Sequence, residues 1–328
     1  MKLETPHLIL VIVVILLAAG SLLAYPLNPS DFDAKAHSDG SVITVDMHSS
    51  MESDYVICAV NLNSPVEREV LLYLDDSYAS PAGHDDDLSQ KKELEAQLKY
   101  VGVKFRTIDA EGLKEVLSDT ASASKRSVVF FSGALPCNVY AFNGEIFTLD
   151  LLKPWMESGG IAYWYAYERF GYYSAPLEKD FNGWSGQPLH LSFSEFGLSF
   201  RDTREDADDR SDISSLLGIT QNQVESRAPV ASLNVTNLGY LSDDGRCSMG
   251  FAKYGSGGIL INGGEWTKDM SFAKIIASQV CDWTSLDPAC SVGSFKGDRQ
   301  ITFDTAADAV YVYFGTITPR YADLFLLG

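Results

Sequence analysis

The sequence predicts an α/β protein: a parallel sheet flanked by helices, with β additions at both ends and one inserted segment. Three observations carry that prediction. Short apolar runs recur at residues 69–74, 103–108, 127–131, 161–165 and 257–262. Stretches with apolar residues at helical spacing separate several of them, the pattern of βα units. The runs at 69–74 and 127–131 stop abruptly, at Asp75-Asp76 and at Ser132-Gly133, as buried strands do where they leave a sheet.

Residues 1–25 read as a signal-anchor or transmembrane helix. Leu8 to Ala24 is an uninterrupted run of apolar and small residues, preceded by Lys2 and followed by Tyr25-Pro26. Its length lies between a signal-peptide core and a spanning helix, and an uncleaved anchor is the favoured of the two. Either reading exports the rest of the chain to the extracytoplasmic face. Residues 26–66 read as a linker and a β-hairpin, with Ser41–Met47 and Tyr55–Val60 joined by a polar turn over 48–54. The α/β domain occupies 67–170 and 255–285. Within it a helix is expected from about Leu88 to Tyr100, with Asp87 and Gln90 as a capping box. Further helices are expected over 110–118, 149–157 with Thr148 as N-cap, and 267–283. Residues 171–254 break the rhythm and read as an inserted irregular and β segment; residues 286–328 form a C-terminal β segment.

Composition narrows the function classes. The chain of 328 residues has 46% hydrophobic and 12% aromatic residues, which is globular rather than disordered composition. A net charge of −19 repels phosphate backbones and argues against nucleic acid as a partner. No C-x-x-C pair points to thiolate–metal chemistry. Of the five cysteines, Cys281 and Cys290 bracket a short loop that a disulfide could close. Asn234-Val-Thr236 is the one glycosylation sequon.

Three strand-end motifs carry a resemblance: Ser132-Gly-Ala-Leu-Pro136, Gly159-Gly-Ile-Ala-Tyr-Trp-Tyr-Ala-Tyr-Glu168 and Asn262-Gly-Gly-Glu265. Their order resembles the class I glutamine amidotransferase-like superfamily and its ThuA-like relatives. The resemblance implies a flavodoxin-like sheet, an oxyanion turn at Ser132-Gly133, a nucleophile elbow near Tyr165-Ala166, and a His-Pro-Glu strand end at 263–265. The Cys and His of the family's triad are missing here: the elbow carries Tyr165 and Ala166, and Gly263 stands where the His would be. Without a nucleophile beside a base, covalent acyl transfer has no means to proceed.

Carboxylates at strand ends are the remaining candidates. Asp75, Asp76, Glu168 and Glu265 share one edge if the strands run parallel, and a ligand crevice opens at that edge. Ser132, Gly133 and Tyr167 join Asp75, Asp76, Glu168 and Glu265 as expected ligand-binding residues, Tyr167 as a stacking platform for sugars. Asp76, Glu168 and Glu265 are the candidates for acid–base catalysis. Asp75, Asp76 and His84 are the candidates for holding a divalent cation, the one cofactor considered. Against all of these stands the plain alternative of solvated loop ends in an acidic chain. The expected function is an exported, membrane-anchored, non-catalytic ligand-binding or scaffolding protein with a carbohydrate or cell-surface partner. The competing expectation is an extracytoplasmic hydrolase acting through the carboxylate cluster.

Overall fold

The computed structural model describes residues 32–39, 41–60, 67–81, 83–142, 147–148, 150–166, 172–175, 177, 189–190, 205–211, 213–214, 219, 221–225, 228–232, 234–264, 270–278, 280, 283–285, 289–305, 307, 309–314 and 321–326. The elements used below are, in chain order, β1 (Phe32–Asp39), β2 (Val42–Val60), β3 (Glu69–Tyr73), α1 (His84–Tyr100), β4 (Phe105–Ile108), α2 (Ala110–Ser118) and β5 (Arg126–Phe130). They continue with β6 (Ala134–Pro136), α3 (Leu152–Glu157), β7 (Ile161–Trp164), β8 (Tyr172–Ser174), β9 (Val235–Asn237) and β10 (Met249–Tyr254). The last are β11 (Gly257–Asn262), α4 (Ser271–Ser278), β12 (Ala289–Phe303), β13 (Ala309–Phe314) and β14 (Tyr321–Leu326). The chain divides into two units: residues 1–59 with 289–328, and residues 60–288.

The larger unit holds a seven-stranded sheet in the order β9-β10-β11-β7-β5-β3-β4. Strands β11, β7, β5, β3 and β4 pair in parallel, whereas β9 with β10 and β10 with β11 are antiparallel. The sheet is therefore mixed, and the expectation of a flavodoxin-like parallel sheet flanked by helices is corrected. The physical reason lies in residues 235–254, expected as part of an insertion. Met249–Tyr254 turns back at Ser256 and lays an apolar strand along β11, extending the sheet in the other direction.

Strands buried on both faces read as continuous apolar runs, and β3 (burial of Val70 through Tyr73) and β7 (all four residues) fit that description. On one face Leu71, Tyr73, Val128, Phe130 and Trp164 pack with Leu113, Val116 and Leu117 of α2 and Trp155 and Met156 of α3. Phe130 and Trp164 stack at 4.9 Å between ring centroids. Gly257 opens β11. A Cβ there would stand 2.2 Å from the Gly160 carbonyl oxygen, so only glycine permits this approach.

Helix α1 begins at His84, four residues before the expected start. Gly83, with φ 94°, occupies the N-cap position and offers no side-chain cap. Asp85, Asp86 and Asp87 instead place negative charge in the first turn, against the positive end of the helix dipole. Asp87 thus lies within the helix, fully buried, rather than capping it. Leu151, not Thr148, precedes α3.

The smaller unit is wholly antiparallel where its pairings are described: β1 on β2, β2 on β12, and β13 on β14. The predicted hairpin with a turn over 48–54 is not formed. Val42–Val60 is one strand of 19 residues, bulged where Ser49 and Ser53 face Gly297 and Phe295. The polar residues read as a turn satisfy that bulge: the Ser49 hydroxyl donates to the Met51 carbonyl at 2.7 Å, and the Ser53 hydroxyl lies 3.0 Å from it.

Cys290 is bonded to Cys58, not to Cys281 as predicted. The two are direct partners across β2 and β12, with Cα atoms 4.2 Å apart. Strand register brought together residues 232 positions apart in the chain, a proximity that spacing along the sequence does not show. Cys281 lies outside the described residues.

Among the described residues no helix is long and apolar enough to cross a membrane. The expected transmembrane helix at residues 1–25, with its apolar run 8–24, lies outside the described residues.

Candidate functional site

Parallel pairing sets the ends of β3, β5, β7 and β11 on one edge of the large sheet, where the crevice was expected. Asp75, the first predicted residue at that edge, is already paired within the protein. Asp75 follows β3, and its Oδ1 accepts from the Ser77 amide at 2.9 Å and the Ser77 hydroxyl at 2.6 Å. Its Oδ2 accepts from the Ala110 amide at 2.9 Å, a donor that α2 cannot satisfy internally. Asp109 completes the cap by accepting from Gly112 at 2.8 Å. Burial raises the Asp75 pKa, but the bonds from Ser77 and Ala110 outweigh it and hold the carboxyl below its usual value. Asp75 is a structural acceptor with both oxygens engaged.

Asp76 is 80% exposed, and its Oδ1 lies 3.7 Å from His84 Nδ1. That pair is what the structure assembles of the predicted cation site. Among the described residues no group of three His, Cys, Asp or Glu side chains could hold a metal ion. Ser132 is buried, its hydroxyl 3.2 Å from the Ala134 carbonyl. Gly133, at φ 68°, turns the chain into β6, which pairs in parallel with β8. Tyr165 and Ala166, at the elbow position, are buried, and the Tyr165 amide donates to the Phe130 carbonyl at 3.0 Å. Tyr167, Glu168 and Glu265 lie outside the described residues.

The end of β11 is closed. A Cβ on Gly263 would stand 2.2 Å from the Cys247 carbonyl oxygen and 2.9 Å from the Ala228 Cβ. The Gly263 amide donates to the Ser248 carbonyl at 2.9 Å, and its carbonyl accepts from Glu225 at 2.9 Å. No histidine fits there. Arg246 secures these neighbouring residues: fully buried, it donates to Asp244 at 2.9 Å and to the Glu225 carbonyl at 2.8 Å. Burial raises the Asp244 pKa, yet Arg246 and Ser242 overcome this and hold it at about 2. Burial pushes the Cys247 thiol up to about 12, which leaves it unreactive at neutral pH.

The smaller unit carries an open cavity of about 470 Å³. It rests on two rows of side chains across three strands. Asp33, His48 and Asp298 are register partners in one row, and Lys35, Asp46 and Gln300 in the next. All six are exposed, while Ala34, Val45 and Met47 between them face the core. His48 Nδ1 lies 2.6 Å from Asp298 Oδ1, and Gln300 Nε2 donates to Asp46 Oδ1 at 2.7 Å. Lys35 Nζ stands 3.8 Å from Asp33, and His37 Nδ1 stands 4.0 Å from Asp46. Carboxylate acceptors thus alternate with ammonium, amide and imidazole groups over one surface. None of the six was predicted. The signal was present as strict alternation in Phe-Asp-Ala-Lys-Ala-His, residues 32–37.

No family model matches the chain, and no curated protein matches it in sequence.

Proposed function

We propose that this is an exported, non-catalytic binding protein that holds a carbohydrate on the polar face of β1, β2 and β12. The cavity of about 470 Å³ carries the reading. Its size suits a small ligand, and adjacent donors and acceptors suit a polyol, whose hydroxyl groups need both at once. Three carboxylates against Lys35 and Arg299 leave the lining slightly negative, which disfavours an anionic guest. The Cys58–Cys290 bond supports export, because such bonds persist in oxidising compartments. The engagement of Asp75 and the closure around Gly263 weigh against hydrolysis at the strand ends. Kinship with the class I glutamine amidotransferase-like proteins belongs to the same proposal, supported by the shared edge on which Ser132, Tyr165 and Gly263 lie.

The test is a glycan-array screen of the full chain with its disulfide formed, followed by calorimetry on any hit. Asp46→Ala and Gln300→Ala should each weaken binding at least about tenfold, the loss of one to two hydrogen bonds to a polar ligand. A hit unchanged by both substitutions, or no hit across the array, refutes the proposal.

A further inference from the structure

We propose that Asn234 is the acceptor of an N-linked oligosaccharide. The sequon Asn234-Val-Thr236 lies at the start of β9, the outermost strand of the large sheet. Three features make it an acceptor as well as a sequence match. Asn234 is exposed, and its carboxamide takes part in no hydrogen bond among the described residues. Its backbone is held instead: the Asn234 amide donates to the Ser232 hydroxyl at 3.3 Å, and its carbonyl accepts from Lys253 at 3.3 Å. The apolar anchor between the two sequon residues is Val235, which is buried, so the segment stays at the surface with Asn234 directed outward.

The chemistry needs a lipid-linked oligosaccharide as donor. The Asn234 Nδ2 forms a bond to the sugar C1, and the C1–O bond to the lipid phosphate breaks. The phosphate leaves with the electron pair, and the amide proton passes to a base of the transferase. The inference rests on the export part of the proposed function.

The test expresses the full chain in a glycosylating secretory host. Intact mass is measured before and after treatment with a peptide-N-glycosidase, and thiol alkylation reports whether Cys58–Cys290 has formed. One enzyme-removable glycan mass is expected in the wild type and in Thr236→Ser, and none in Asn234→Gln or Thr236→Ala. A formed disulfide with Asn234 unmodified overturns the inference and leaves export standing. A glycan that survives Asn234→Gln also overturns it. Absence of both disulfide and glycan overturns export, and the inference falls with it.

Discussion

The two units solve the burial problem in opposite ways. In the larger, β3, β5, β7 and β11 are buried along their lengths, and the strand ends are closed by capping bonds and tight glycine contacts. In the smaller, β1 and the first half of β2 alternate buried with exposed residues and so present one face to water. A sheet buried on both faces can bind ligands only at its edges, and here Asp75 and Gly263 at that edge are engaged by internal hydrogen bonds. A sheet with one wet face can bind across its surface. The difference teaches that the unit with the longer apolar runs is not, for that reason, the unit where a ligand site should be sought first.

The contrast can be broken most forcefully at Arg246. Removing a buried, paired guanidinium strands Asp244 without its partner, so Arg246→Ala should cost the larger unit about 3–5 kcal/mol. All five tryptophans lie in that unit, so their fluorescence during chemical denaturation reads it selectively.

Converting Cys58 and Cys290 to serine together should destabilise the smaller unit by about 2–5 kcal/mol. Hydrogen exchange would show the loss in β2 and β12, while the tryptophan transition stays in place. An equal shift of both signals would blur the distinction between the units.

Asp75→Asn tests whether the strand-end carboxyl is structural. The loss should be about 1 kcal/mol at neutral pH, as for a helix cap. The folded pKa lies below the unfolded one, so this stabilisation is complete above the ordinary carboxylate range and fades as pH falls through the folded value. Wild type and variant should converge in acid. For Asp244 the same sign holds, and its contribution is lost as pH drops from the ordinary range to about 2. Urea midpoints measured from pH 7 down to pH 2 check both.

The smallest expected effect on stability belongs to the cavity. Asp46 and Gln300 are exposed, so Asp46→Ala and Gln300→Ala should each stay within about 0.5 kcal/mol of wild type in denaturation. A larger change would mean that the row is a structural ladder rather than a ligand surface.

Local pattern made some elements legible. The apolar runs at 69–74, 127–131, 161–165 and 257–262 lie on strands, and Leu113, Val116 and Leu117 mark the buried side of α2. What stayed hidden depends on contacts distant in sequence. The antiparallel return of Met249–Tyr254 looked like insertion because its pairing with β11 is a tertiary fact. The run from His48 to Asp54 has turn composition, and only the opposing Phe295–Gly297 shows it as a bulge. The same holds for the site: Asp46 and Gln300 meet across 254 residues, whereas Asp75 and Asp76 attracted notice by being adjacent. Adjacency in sequence led to a capping residue, and register led to the cavity.

The most direct test of where the ligand lies is a hydrogen-exchange footprint of the full chain, with and without a saturating glycan found by the array. Protection is expected in residues 33–48 and 298–300, with 75–84 and 132–138 unchanged. Protection confined to 75–84 and 132–138 would return the site to the strand ends and contradict the account.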